Sequence, residues 1–235
     1  MNNLENRAVV ITGATGGLGK VVARVFAGQG ASLALLSTNQ DKLDALARDL
    51  DLPSERIMTY AADLSDPNAV RDSAEAVSAK FGRVDALIHL VGGWTGGRTI
   101  AESGVDEFKS MLDQHAWTTV HLLRAFSPKL VANGWGRVIA VSADSASSPP
   151  AERAAYGMGK AAQEALLLSL AEEFKGTNLT ANVIQVNSID MEGSGNPGQS
   201  VRGKGTSPEE IAAAMLYLCS DEARKLNGAR IPLYN

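Results

Sequence analysis

Short apolar runs alternate with longer helical segments from one end of this chain to the other. RAVVIT (7–12), ASLALLS (31–37), RIMTYA (56–61), VDALIHLV (84–91), GRVIAVS (136–142), LTANVIQV (179–186) and GARIPLY (228–234) read as strands. Several are apolar nearly throughout, as strands covered on both faces must be. The segments between them carry helical spacing and end signals. Ser65-Asp66-Pro67 and Ser207-Pro208-Glu209-Glu210 stand at starts, and Gly30, Gly82 and Gly176 stand past ends. The stretch 103–132 reads as one long helix. Right-handed crossovers between such units give an α/β fold: a doubly wound, seven-stranded parallel sheet with helices on both faces. With 235 residues the chain suits one domain with a full core, residues 1–235. The weakly patterned tract DMEGSGNPGQSVRGKG (190–205) reads as a substrate loop, extending to about 206, with plain disorder as the competing reading.

Charge excludes some partners. A net charge of −4 without a lysine or arginine cluster argues against nucleic acid. No run reaches membrane-span length, and the first strand follows the N-terminus without a leader pattern, so a cytoplasmic protein is expected. The single Cys219 lies in an apolar helical run and reads as a buried, unreactive thiol. His89 and His121 have no partners at metal-ligand spacing, so no metal is expected.

TGATGGLG (12–19) follows the first strand and opens the first helix. A glycine-rich turn there brings backbone N–H groups and the helix N-terminus close to a pyrophosphate. Far along the chain Tyr156 and Lys160 stand one helical turn apart, so both can face one cleft. TGxxxGxG together with YxxxK resembles the short-chain dehydrogenase/reductase family over essentially the whole chain. That resemblance implies a Rossmann-type fold, a nicotinamide dinucleotide and a small-molecule substrate. Gly13, Thr15, Gly17, Leu18 and Gly19 would hold the pyrophosphate, and Asp63 with Leu64 would meet the adenine. Gly92 is the glycine retained where the family has NNAG, here HLVG (89–92). Tyr156 would give or take the proton. Lys160 would hold the nicotinamide ribose and lower the tyrosine pKa, since a nearby cation favours phenolate. The family assembles through the helices of 104–131 and 153–175, which implies a homodimer or homotetramer.

The second strand ends in LLSTNQDKL, with Ser37, Thr38 and Asn39 and no acid until Asp41. NAD-selective members of the fold place a carboxylate there, so NADP is favoured over NAD. Two family positions are altered. Ala143 stands where the substrate-oxygen serine belongs. Ser142 is one residue away and on the opposite strand face, and Ser145 could return to the site only if the chain bends. His115 stands in place of the relay asparagine; an imidazole can relay protons, and it can equally be a hydrogen-bonded helix histidine. VGGWTGGRTI, QHAWTTV and YGMGK resemble the dihydropteridine reductase subgroup, which lacks the serine and reduces a planar quinonoid pterin. Trp94 would then face a flat ring system or fill the pocket wall, and Trp117 would be helix core. Two other readings stay open. One is an ordinary carbonyl or alcohol reductase with a displaced serine. The other is a cofactor-binding regulator with little turnover.

Overall fold

The computed structural model describes residues 4–191 and 205–234. Seven strands form one parallel sheet: β1 (Ala8–Thr12), β2 (Ser32–Ser37), β3 (Ile57–Ala61), β4 (Ala86–His89), β5 (Gly136–Ala143), β6 (Leu179–Val186) and β7 (Arg230–Pro232). Their order is β3-β2-β1-β4-β5-β6-β7. Every residue of β1, β4 and β6 is buried, which is why these runs lack a polar alternation. The order reverses at β1, whose two neighbours are β2 and β4. The first three units wind one way and the rest wind the other. A crevice therefore opens beyond the C-terminal ends of β1 and β4, the usual ligand position in open α/β sheets.

Helices cover both faces. One face packs α1 (Gly17–Gly28) and α7 (Pro208–Leu218) on the sheet through Val22, Phe26, Ile211 and Met215. The other carries α3 (Pro67–Phe81), α5 (Thr118–Ala132) and α6 (Ala154–Glu173), which bury Val70, Val77, Leu122, Phe126 and Leu167. The end signals act as expected. Asp66 caps α3 by accepting from the Asn68 N–H, and Gly82 ends it at φ +70°. Ser207 and Glu210 form a reciprocal capping box on α7. Cys219 is buried, and burial pushes its thiol up to about 12.

Two expectations need correction. The stretch 103–132 is not one regular helix: α4 (Val105–Leu112) passes through a π turn, Asp113–Trp117, into α5. Just after that turn Thr118 and Thr119 donate their hydroxyls to the carbonyls of Gln114 and His115, at 2.7 and 2.6 Å. Such back-bonding competes with the regular ladder, and single π turns concentrate at functional sites. β4 is also shorter than 84–91. At its end the Leu90 N–H donates to the Thr12 hydroxyl at 3.3 Å. That bond turns the chain toward the crevice. Ile189 and Thr206 are bridged, which closes the ends of the expected substrate loop. Residues 192–204 of that loop lie outside the described residues.

Candidate active site

The phosphate end is built from backbone. Gly13 ends the first turn at φ +67°, a conformation that costs other residues strain. A side chain on Gly19 would run into the Gly13 carbonyl and the Ala14 backbone. Helix and strand thus approach as closely as a glycine allows. Gly17 is exposed, and the space above it is taken by the Met191 side chain. The described start of the 190–205 loop therefore reaches the glycine turn. Leu18 is buried beneath the turn and anchors it.

Beside this turn lies a cavity of about 260 Å³, lined among others by Gly13, Ser37, Thr38, Asp63, Leu64 and Val91. It brings the adenosine-end candidates together. Two are partly engaged. The Thr15 and Ser37 hydroxyls share a 2.6 Å hydrogen bond, and the Asp63 carboxylate accepts from the Ser65 N–H and hydroxyl at 2.9 and 2.8 Å. Those bonds lower the Asp63 pKa and keep the carboxylate charged. Asn39 caps α2 (Gln40–Leu50) by accepting from the Lys42 N–H.

The chemical end is built from side chains. The His115 Nε2 lies 3.0 Å from the Gly93 carbonyl. A carbonyl only accepts, so Nε2 carries the proton and Nδ1 presents a lone pair. That Nδ1 is buried and has no hydrogen-bond partner among the described residues. Gly92 shows where it faces: a Cβ there would lie 2.9 Å from His115 Nδ1 and 3.6 Å from Lys160 Nζ. The ring also meets Tyr156 edge-on, with centroids 5.7 Å apart. Gly159, between Tyr156 and Lys160, lets α6 close on this turn, since a Cβ there would press on the Met111 carbonyl and the His115 ring. Burial, then the Lys160 charge, depresses the His115 pKa to about 3, with the Gly93 bond opposing.

Lys160 is buried, and burial brings its pKa down to about 8, against the charge of Glu164. Its ammonium donates to the Val141 carbonyl at 2.8 Å and the Gln163 side-chain carbonyl at 3.0 Å. His89 joins the cluster from β4. Its Nδ1 is 2.9 Å from the Thr12 hydroxyl, its Nε2 is without a partner among the described residues, and burial, Lys160 and His115 hold it near 3.

One electrostatic expectation is overturned. Tyr156 is pushed up, not down, by burial and then by Asp144, with Arg153 opposing. Lys160 spends two of its three donors on Val141 and Gln163.

Ala143 is buried at the end of β5, and the chain then bends into a short 3-10 turn, Asp144–Ala146. The bend carries Ser145 to the wall of a cavity of about 720 Å³ together with Ile100, Pro149 and Met158. Its hydroxyl donates to the Asp144 carboxylate at 3.1 Å. The Ser142 hydroxyl is buried without a partner among the described residues. Trp94 is 63% exposed. The reading of Trp117 as helix core fails: it is 53% exposed beside His121. The π turn rotates Trp117 outward as it rotates His115 in. Gln163, Thr119 and Asp144 were missed; the three-residue spacing from Lys160 to Gln163, one helix face, was the available signal.

Known proteins resemble this chain in sequence and in fold. The family described as short chain dehydrogenase matches residues 7–198. A 2,3-dihydroxy-2,3-dihydro-p-cumate dehydrogenase from Pseudomonas putida is 28% identical over 96% of this chain and 92% of its own. A meso-2,3-butanediol dehydrogenase from Serratia marcescens is 28% identical over 97% and 93%. Among solved structures, a short chain dehydrogenase from Bacillus anthracis superposes with a TM-score of 0.87 at 26% identity, covering 98% of this chain and 96% of that one. An NAD+-bound xylitol dehydrogenase shares the fold, with a TM-score of 0.86 at 21% identity and 98% of each chain covered. With its glycine turn at the sheet's switch point and its tyrosine and lysine on α6, this chain belongs to the short-chain dehydrogenase family.

Proposed function

We propose that the chain is an NAD(P)-dependent oxidoreductase in which Tyr156 handles the proton without a serine helper. One observation carries this reading: Lys160 and His115 meet beside Gly92, next to the glycine turn, and Tyr156 stands edge-on to the same His115 ring. The cradle suits a dinucleotide, because side chains are excluded at Gly19 and the adenosine-end residues line an adjoining cavity. When bound, the nicotinamide supplies or accepts the hydride. Gly13, Thr15, Gly17, Leu18 and Gly19 would hold the pyrophosphate, Asp63 and Leu64 the adenine, and Gly92 with Lys160 the nicotinamide ribose. Ser37 and exposed Thr38 offer hydroxyls and no carboxylate at the end of β2, which favours NADP over NAD.

Tyr156 is pushed up, so its phenol stays protonated at neutral pH and is ready to donate. Lys160 keeps one donor for the cleft. His115 Nδ1, an unprotonated lone pair facing the Gly92 position beside Lys160, would accept a proton in a relay. A planar, pterin-like or quinonoid substrate accounts for Ala143, because a ring that takes hydride in a conjugated system needs no hydroxyl clamp on an isolated carbonyl. The exposed Trp94 face is available to stack on it. A second reading, alcohol or diol oxidation, is favoured by the two diol-type relatives and by Ser145 at the larger cavity. We place the protein in the cytoplasm, as a homodimer or homotetramer joined through the apolar groove of α5 and α6 that Leu123, Val131 and Leu166 line.

The deciding experiment follows NADPH and NADH oxidation with quinonoid dihydropterin beside a panel of ketones, and NADP+ and NAD+ reduction with diols. Turnover of the pterin alone supports the first reading. Turnover of ketones or diols that is lost in Ser145→Ala supports the second. Binding of a dinucleotide with no turnover of any substrate would leave a regulator and defeat both.

A further inference from the structure

The chemical end contains a fully buried amide that the proton chemistry above does not use. Gln163 has no exposed surface and lies on α6 three residues beyond Lys160. Its carbonyl accepts from Lys160 Nζ at 3.0 Å, and its amide donates to the Thr119 hydroxyl at 3.3 Å. Thr119 in turn donates to the His115 carbonyl at 2.6 Å. The Thr119 oxygen is thus satisfied as donor and as acceptor, which fixes which way the Gln163 amide points. The result is one continuous buried chain from the Lys160 ammonium to the backbone of the π turn that carries His115. A leucine at position 163 would bring no polar group of its own but would leave Lys160 and Thr119 each short of a partner. A buried amide is therefore retained at a cost unless its partners need it.

We infer that Gln163 is a positioning residue: its side-chain carbonyl fixes the Lys160 ammonium, and its amide couples that position to the turn bearing His115. This inference rests on the functional reading of Lys160. Gln163 has no surface open to the crevice and acts through Lys160 and Thr119. With the Val141 carbonyl it takes two ammonium donors, which leaves the third for the cleft beside Gly92. It also solvates a charge that burial disfavours.

The groups facing Lys160 define what a titration reads. Glu164 faces it from α6, His115 from the π turn and His89 from β4, while Tyr156, edge-on to His115, is acted on by Asp144 beyond β5. Both histidines are neutral above pH 5, so the lysine is the group that changes charge near pH 8.

The test compares Gln163→Leu, Gln163→Glu and wild-type protein. Lys160 is titrated directly by NMR of ε-13C-lysine-labelled protein, its resonance assigned by its absence in Lys160→Met. Losing the acceptor disfavours the ammonium, so Gln163→Leu should move the lysine midpoint down by about one pH unit. A carboxylate favours the ammonium, so Gln163→Glu should move it up. NADPH affinity, read by fluorescence titration, should fall about tenfold in Gln163→Leu, the scale of a lost hydrogen bond to a charged group. Thermal melting confirms that each variant is folded. If either variant misfolds, Thr119→Val, which cuts the amide's anchor, should still move the midpoint down. Identical midpoints in wild type and all folded variants overturn the positioning role. Failure of wild-type protein to bind either dinucleotide would overturn the oxidoreductase reading instead, and the NMR midpoints would still judge Gln163.

Discussion

The two ends of the crevice are made in different ways. The phosphate end is backbone, with glycines whose missing side chains create the room, and it lies partly open to solvent. The chemical end is a buried polar cluster drawn from β1, β4, the π turn, β5 and α6, in which each group depends on the others for its charge state. The first is a local device that one short sequence stretch encodes. The second exists only after distant elements pack. Binding and chemistry should therefore respond to substitution in separable ways.

The largest effect is expected at the chemical end. Tyr156→Phe should lower turnover by at least ~10²-fold, the usual scale of a lost general acid or base, with dinucleotide affinity little changed in a fluorescence titration. A near-normal rate would remove Tyr156 from the chemistry. The reverse pattern is expected at the phosphate end. Gly19→Ala forces a Cβ against the Gly13 carbonyl, and overpacking of this kind costs about 1–3 kcal/mol. Dinucleotide affinity should fall more than tenfold, and a melting curve should show the strain. Wild-type affinity in that variant would mean the glycine turn is only a turn.

His115→Ala should be milder, about tenfold by the lower range of proton-transfer effects. The loss should grow at high pH, where solvent protons are scarce. A loss that is the same at every pH would leave His115 a structural residue.

A separate effect distinguishes the ends by stability rather than by activity. His89 and His115 stay neutral in the folded protein down to about pH 3, while unfolded imidazoles charge below about 6.5. Between those limits the unfolded chain binds more protons, so stability falls as pH falls through the window. The slope is at most about 1.4 kcal/mol per pH unit for each group. Urea melts from pH 7 to pH 4 should show it, and His89→Asn should remove about half of the slope, leaving the part due to His115. A flat profile in the unsubstituted protein would mean that these rings are not held neutral.

Much of this was legible beforehand because it is local. Seven apolar runs, the glycine turn after β1, and Tyr156 one helical turn before Lys160 each depend on spacing within a few residues. The absence of a serine at Ala143 was equally plain. The electrostatics were not. Lysine proximity alone suggested a lowered tyrosine pKa, but the ammonium is claimed by Val141 and Gln163, and burial with Asp144 decides the phenol. The π turn was hidden for a related reason: its two threonines look like ordinary helix residues until their hydroxyls find the carbonyls one turn back. Trp117 misled because a large apolar ring on a helix suggests a core, while its side chain points to solvent.

The central claim is that the crevice beyond β1 and β4 brings a nicotinamide ring to the Tyr156 phenol with no serine between them. A crystal structure with NADP+ or NAD+ bound tests it most directly. The account predicts pyrophosphate on the 13–19 turn, ribose on Lys160 and the ring beside Tyr156 and Ala143. A dinucleotide seated elsewhere, or a ring facing away from the phenol, would contradict it.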